Sequence, residues 1–201
     1  MASGKTLEKL RQLYSRMDAE VKRWNALQEQ SLSLLGTIAN IAARLPALED
    51  PSAYGALPAA AAGPGFQQRL LAKQLAAMDE LIVQLQGCLA DMQVVVDGME
   101  RQAQQAQRYV QQERLPPAVR SAAAPPIPSV DAGLQGLQDI WRMHAEELRL
   151  KHALVEEVRY DASEADLRQV AALFAAQLHV EAGRVADLLY IVAATEDRRR
   201  L

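Results

Sequence analysis

The hydrophobic pattern is most regular between Leu71 and Val110, where apolar or small residues recur at alternating spacings of four and three. This is the a/d pattern of a helix buried along one narrow stripe, here called the apolar seam. At about 1.5 Å per residue, the seam is roughly 60 Å long, so other long helices, from this chain or a partner, must cover it. It consists of Leu71, Leu75, Met78, Ile82, Leu85, Leu89, Met92, Val96, Met99, Ala103, Ala106 and Val110.

The N-terminal half predicts a pair of long helices. A helical stripe runs through residues 3–45 and is stopped by Pro46, because proline breaks a helix interior. Residues 46–65 are rich in Pro, Gly and Ala and predict a flexible loop. The seam helix follows over residues 66–113. We therefore expect residues 1–114 to form a long antiparallel helical hairpin with coiled-coil character.

The C-terminal half predicts a second, shorter hairpin. Prolines dominate residues 115–130 and predict a stiff linker that acts as a hinge. Two helical segments follow, the first ending near residue 160 and the second near residue 195. Their short connection predicts an antiparallel helical hairpin over residues 131–201.

Local signals predict where these last helices begin and break. Ser129 or Asp131 would cap the third helix, and Asp161 or Ser163 would cap the fourth. Gly183 is a candidate break that divides the fourth segment into two helices.

The composition supports an all-α fold and limits the partners. Aromatic residues make up only 4% of the chain, and Val and Ile never alternate with polar residues over the length of a strand. A net charge of −3 and a pI of about 5.7 argue against direct nucleic-acid binding. The chain has a single cysteine, Cys88, which excludes an internal disulfide and fits a reducing compartment. We expect Cys88 to be a small buried residue on the apolar side of its helix. The chain contains no run of about 18 apolar residues, so the sequence predicts no membrane span.

Two polar residues, Gln28 and Ser31, interrupt the stripe of the first helix. One interpretation is that they are buried and determine the register against a partner helix, as polar a/d residues do. The other is that the helix loosens there and faces solvent. The sequence does not choose between them.

No constellation of residues predicts catalysis, a metal or a cofactor. His144, His152 and His179 lack the spacing of a tetrahedral metal site, and we expect His144 on the apolar side of its helix and the others near the surface. The acidic pair Glu146-Glu147 is typical of the solvated side of an amphipathic helix. We therefore predict that the protein is not an enzyme.

The two tryptophans, Trp24 and Trp141, are the strongest candidate anchors of an interface, because buried Trp contributes heavily to binding. The alternative is that both fill the core. The apolar seam, too, could belong either to the core or to an interface. If one side of the seam were left uncovered, the chain would expose more apolar area than a monomer usually does. We expect the isolated chain to self-associate or to express poorly.

Two stretches carry a family resemblance. The first is Trp24-Asn25-Ala26-Leu27, followed by Ile38-Ala39-Asn40-Ile41, and the second is Met143-His144-Ala145-Glu146-Glu147-Leu148-Arg149-Leu150-Lys151, continuing to Glu157-Val158. With the seam helix and the Pro-rich hinge, they resemble the cyclin-dependent-kinase-2-interacting protein family. The chain departs from that family in its Ala- and Pro-rich loops.

The resemblance implies a nuclear, non-enzymatic adaptor. Such a protein pairs with a similarly built helical subunit and links it to a hexameric AAA-type ATPase that acts in DNA replication, checkpoint signalling and ribosome maturation. Cyclin-dependent kinase is a further implied partner, although the chain has no Ser-Pro or Thr-Pro site for it to modify. The four-and-three spacing of the apolar seam, taken alone, allows an alternative function. The protein would then be a structural coiled-coil subunit of a kinetochore, centrosomal or tethering complex.

These considerations predict a set of partner-binding residues on the helices, within a hetero-oligomer that involves no membrane. The set is Trp24, Ile38, Ile41, Leu71, Leu75, Met78, Ile82, Leu85, Leu89, Met92, Val96, Trp141, Leu148, Leu150 and Lys151.

Overall fold

A computed structural model describes residues 2–50, 65–123 and 128–197. Within these residues the chain forms seven helices and no strand, which confirms the predicted all-α fold. The helices are α1 (Ala2–Ala42), α2 (Leu45–Glu49), α3 (Phe66–Gln112), α4 (Pro117–Ser121), α5 (Val130–Glu156), α6 (Glu164–Ala176) and α7 (Ala182–Asp197).

Both Pro-rich segments contain a short helix that the sequence did not predict. Pro46 lies in the first turn of α2, and Pro117 begins α4. Proline is tolerated in a first helical turn, since its missing N–H would have no intrahelical partner there. The predicted loop 46–65 and linker 115–130 are therefore partly helical. Within these two segments, residues 51–64 and 124–127 lie outside the described residues.

The last helices begin where the sequence predicted but break elsewhere. Ser129 accepts a hydrogen bond from the Ala132 amide at 3.1 Å, and Ser163 accepts one from the Asp166 amide at 3.2 Å. The predicted division of the fourth segment into two helices is confirmed, but the break lies before Gly183, because the chain leaves α6 at Gln177, whose φ is 45°. Gly183 lies inside the first turn of α7.

The helices are divided between two compact units, each made of separated segments. The first unit takes Met1–Ala26, Asp91–Arg149 and Gln177–Leu201, and the second takes Leu27–Ala90 and Leu150–Ala176, as far as these are described. The units do not coincide with the predicted hairpins 1–114 and 131–201. The reason is that α1, α3 and α5 are long enough to contribute residues to both units.

The apolar seam of α3 is covered within the chain. All its residues are buried except Leu71, Leu75 and Ile82, which are half-buried. Burial of one such side chain contributes about 1.5–3 kcal/mol, so the seam supplies a large share of the core. Covering it internally removes the physical basis for expecting the isolated chain to self-associate.

By length and composition alone, one segment, Gly4–Glu49, would suffice to cross a membrane. Its largest apolar residues instead face the core: Leu13, Trp24 and Ile38 are 0% exposed. Core helices of proteins that never enter a membrane meet the same criterion. The expectation of no membrane span stays a prediction.

In the first unit, α1 and α5 approach closely at two glycines. The Tyr14 hydroxyl donates a hydrogen bond to the Gly133 carbonyl at 2.8 Å. A Cβ on Gly136 would overlap that hydroxyl and lie 3.1 Å from Leu188 Cδ2. Burial, with a smaller contribution from the Asp139 carboxylate, raises the pKa of Tyr14, so the hydroxyl stays a donor. The close approach depends on the missing side chain at Gly136.

We predict that Gly136→Ala destabilises the protein by about 1–3 kcal/mol through overpacking. Gly87 is the matched control: it lies in a helix, it is exposed, and no atom lies within 4 Å of an added Cβ. Gly87→Ala should stabilise by about 0.5–1 kcal/mol through helix propensity. Urea unfolding followed by circular dichroism measures both changes. Equal effects of the two substitutions would contradict the described packing.

Candidate functional site

In the second unit, two buried side chains converge on the C-terminal end of α6. Lys151 Nζ and Gln28 Nε2 each donate to the Phe174 carbonyl at 2.8 Å. This carbonyl belongs to the last helical turn, whose carbonyls lack intrahelical partners. Lys151 also lies over the Phe174 ring, with Nζ 3.8 Å from the ring centroid. Lys151, Gln28 and Phe174, together called the helix-end clamp, join α1, α5 and α6.

The buried charge of Lys151 is stabilised by its surroundings. A cation is favoured at the negative end of a helix dipole, and an aromatic face attracts it further. Lys151 is 0% exposed, and Gln28 is 5% exposed. Because a buried polar group without a partner costs about 1–3 kcal/mol, the clamp favours the alignment of these three helices that keeps both hydrogen bonds.

In the first unit, two further bonds hold the turn that follows α6. Trp24 Nε1 donates to Gln177 Oε1 at 2.8 Å, and the His179 amide donates to Glu147 Oε2 at 2.9 Å. The Val180 amide closes the turn onto the Gln177 carbonyl at 3.0 Å. Trp24 and Glu147 are both 0% exposed. The turn at residues 177–180, called the α6–α7 turn, is therefore anchored by buried groups on both sides of its tip.

His144 supports Trp24 from behind. Their rings meet edge to face, with centroids 5.1 Å apart and planes at 86°. His144 Nδ1 lies 2.8 Å from the Ile140 carbonyl, which assigns the proton of a neutral ring to Nδ1. Burial lowers the pKa of His144, and this outweighs the Ile140 hydrogen bond and the Glu147 charge, both of which raise it. The imidazole is consequently a neutral packing element at neutral pH.

The structure decides between several interpretations of the sequence. Gln28 and Ser31 are buried, and Ser31 Oγ donates to the Leu27 carbonyl at 2.8 Å, so the solvent-facing interpretation is wrong. Glu147 was expected on the solvated side of its helix and is instead fully buried. Cys88 is a free, buried thiol, as predicted. His144 is buried, as predicted.

Many of the predicted partner-binding residues lie in the core. A side chain that is buried in its own chain does not contact a partner without a change of fold. The buried ones are Trp24, Ile38, Ile41, Met78, Leu85, Leu89, Met92, Val96, Leu148 and Lys151. The half-buried ones are Leu71, Leu75, Ile82, Trp141 and Leu150.

The sequence reasoning missed Phe174, Gln177 and His179. Phe174 contributes a backbone carbonyl as well as its ring, and His179 contributes a backbone amide. Backbone groups carry no signal in a pattern of side chains. Gln177 adopts a positive φ that is uncommon for glutamine, and propensity would have placed a glycine there. Among the described residues, no group of three or more His, Cys, Asp or Glu side chains is arranged to hold a metal ion.

The fold and its buried polar contacts define an all-α protein whose titratable groups hold its own helices in register. A sequence model of the family described as ribosome biogenesis protein C1orf109-like matches residues 5–194. The match covers nearly the whole chain, and the protein belongs to this family. No curated protein matches the sequence.

This family is not the one that the residues resembled. The comparisons give no support for the cyclin-dependent-kinase-2-interacting family, so that resemblance is corrected. The link to ribosome maturation, which the resemblance implied, is supported at the level of the family. Helical stretches such as Glu147 to Lys151 carry little family information, because similar packing demands similar residues.

The helix-end clamp predicts non-additive energetics. In Gln28→Leu or Lys151→Met alone, the Phe174 carbonyl keeps one donor, whereas in the double variant it has neither. We expect the loss of stability in the double variant to exceed the sum of the single losses by roughly 1–2 kcal/mol. A double-mutant cycle in urea measures this coupling. Strictly additive losses would show that the carbonyl does not depend on these donors.

The buried His144 predicts sensitivity to acid. Its pKa in the folded state is below the ordinary value of 6.5, so the unfolded chain binds more protons as the pH falls through 6.5. The free energy of unfolding should therefore decrease with falling pH, by at most about 1.4 kcal/mol per pH unit for this one group. Unfolding curves between pH 7.5 and 5 measure the slope.

Two variants isolate this contribution. His144→Gln should flatten the pH dependence, whereas His152→Gln, at an exposed position on the same helix, should leave it unchanged. The same slope in wild type and His144→Gln would rule out His144 as the origin.

Proposed function

We propose that the protein is a non-enzymatic interaction subunit in ribosome biogenesis. It pairs with a similarly built helical protein and connects it to a hexameric AAA-type ATPase in the nucleus or nucleolus. The observation that carries the proposal is the family match over residues 5–194. The ATPase, the helical partner and the compartment come from the resemblance described above.

The use of the polar groups supports a binding role. His144 and Glu147, which the sequence analysis considered for chemistry, are engaged in hydrogen bonds within the fold. The same is true of Lys151, a predicted partner-binding residue. Their function is to define the shape of the helical framework. A rigid framework that presents fixed surfaces is what an adaptor requires.

The half-buried seam residues are the remaining candidates for pairing. Leu71, Leu75 and Ile82 lie on α3 within the second unit and keep part of their apolar surface accessible. A partner helix that covers them would extend the burial of the seam. Trp141, in the first unit, is a separate candidate contact.

The coiled-coil alternative loses its main support. A rod-forming subunit would use the seam against another chain, but most of the seam is already buried within this one. Roles in DNA replication and checkpoint signalling, and binding of cyclin-dependent kinase, derive from the resemblance alone and stay predictions.

Affinity purification of the full chain from nuclear extract tests the proposal, with and without a nucleotide that locks AAA ATPases. We expect near-stoichiometric recovery of a hexameric ATPase, one small helical protein and ribosome-assembly factors. The double variant Leu75→Glu, Ile82→Glu should lose the helical protein, whereas Lys73→Glu, at an exposed position on α3, should retain it. Recovery of only cytoskeletal or chromosome-segregation proteins would overturn the adaptor function.

A further inference from the structure

The tip of the α6–α7 turn presents a large apolar side chain to solvent. Leu178 is 63% exposed, although its neighbours on both sides are anchored. Gln177 is held by Trp24 Nε1 and His179 by the Glu147 carboxylate. These two bonds hold the chain immediately before and after the leucine.

The turn also keeps a strained backbone. Gln177 has a φ of 45°, in the left-handed region that a residue with a Cβ rarely adopts. At the residue that follows a helix, this conformation ends the helix and turns the chain away from its axis. The hydrogen bond from Trp24 holds the Gln177 side chain at this point. Since the turn is already ordered, a partner that binds it loses little conformational entropy.

The charges around Leu178 indicate what would bind. Glu181 is exposed three residues further on, and Glu146 is 45% exposed, with Oε2 3.9 Å from His179 Nδ1. The exposed Arg184 is already paired with Asp139 at 2.6 Å. Two exposed carboxylates therefore lie next to the turn, Glu146 beside His179 and Glu181 three residues after the leucine. A partner that covers this turn would therefore bind more favourably if it carried Lys or Arg side chains opposite these carboxylates.

We infer that the α6–α7 turn is a docking site for a protein partner whose apolar pocket receives Leu178 and whose rim carries Lys or Arg side chains opposite Glu146 and Glu181. This inference deepens the proposed adaptor function and rests on it, because it names the surface through which one partner is held.

The test replaces Leu178 in the full chain with the photocrosslinking residue p-benzoylphenylalanine, and Val83 in a matched control. Val83 is 58% exposed and lies in the second unit. After irradiation in cells, mass spectrometry identifies the partner residue that is crosslinked. We expect one dominant protein partner at position 178, attached within an apolar segment flanked by Lys or Arg, and a much lower yield at position 83.

Charge reversal tests the chemistry of the rim. Glu146→Lys with Glu181→Lys should abolish the crosslink, whereas Glu29→Lys with Glu80→Lys, at exposed positions in the second unit, should preserve it. Leu178→Asp should weaken binding to the identified partner by about 10- to 100-fold, the loss expected for one buried leucine. Its melting curve should match that of the wild type, because the side chain is exposed.

The inference is overturned if position 178 crosslinks no better than position 83, if RNA is the crosslinked species, or if the crosslink survives charge reversal at Glu146 and Glu181. Recovery of the AAA ATPase is scored in the same samples. If wild type recovers the ATPase without a specific crosslink at position 178, only the docking inference fails. If the expected crosslink forms but no ATPase is recovered, only the proposed adaptor function fails.

Discussion

The Phe174 carbonyl at the end of α6 is the point on which the helix arrangement depends. It accepts hydrogen bonds from Gln28 on α1 and Lys151 on α5, both of them buried. Apolar contacts are not directional, so by themselves they distinguish one helix register from another less sharply than hydrogen bonds do. Two buried donors that share one carbonyl are more selective, because a shift that separates them from it costs their hydrogen bonds. Polar groups therefore determine the register, while apolar burial supplies the stabilisation.

The first unit uses the same principle for the chain beyond α6. Trp24 and Glu147 hold the turn that leads into α7, and His144 packs against the indole. Only a neutral imidazole suits this position, because burial disfavours its charged form. Ionisable residues in the apolar interior thus act as structural parts. Their burial gives these residues a structural reason to recur in a pattern that resembled a functional signature.

This dual use of residues bears on the family assignment. The stretch from Met143 to Lys151 suggested the cyclin-dependent-kinase-2-interacting family, whereas the chain belongs to the C1orf109-like ribosome biogenesis family. Within the stretch, Glu147, Leu148 and Lys151 are buried. A helix encodes what packs against it and says little about the biological partner. The shared link to ribosome maturation is what the comparison supports.

The sequence by itself determined the helices and most of the core. The four-and-three spacing of the seam predicted α3 to within one residue, and Ser129 and Ser163 predicted two helix starts, because periodicity and capping are local properties of the chain. Only the tertiary structure decided that Gln28 and Glu147 are buried, that the chain turns at Gln177 before Gly183, and that Leu178 remains exposed. These outcomes depend on a backbone carbonyl, a backbone amide and a side chain that are distant in sequence, and such contacts leave no periodic signal in it.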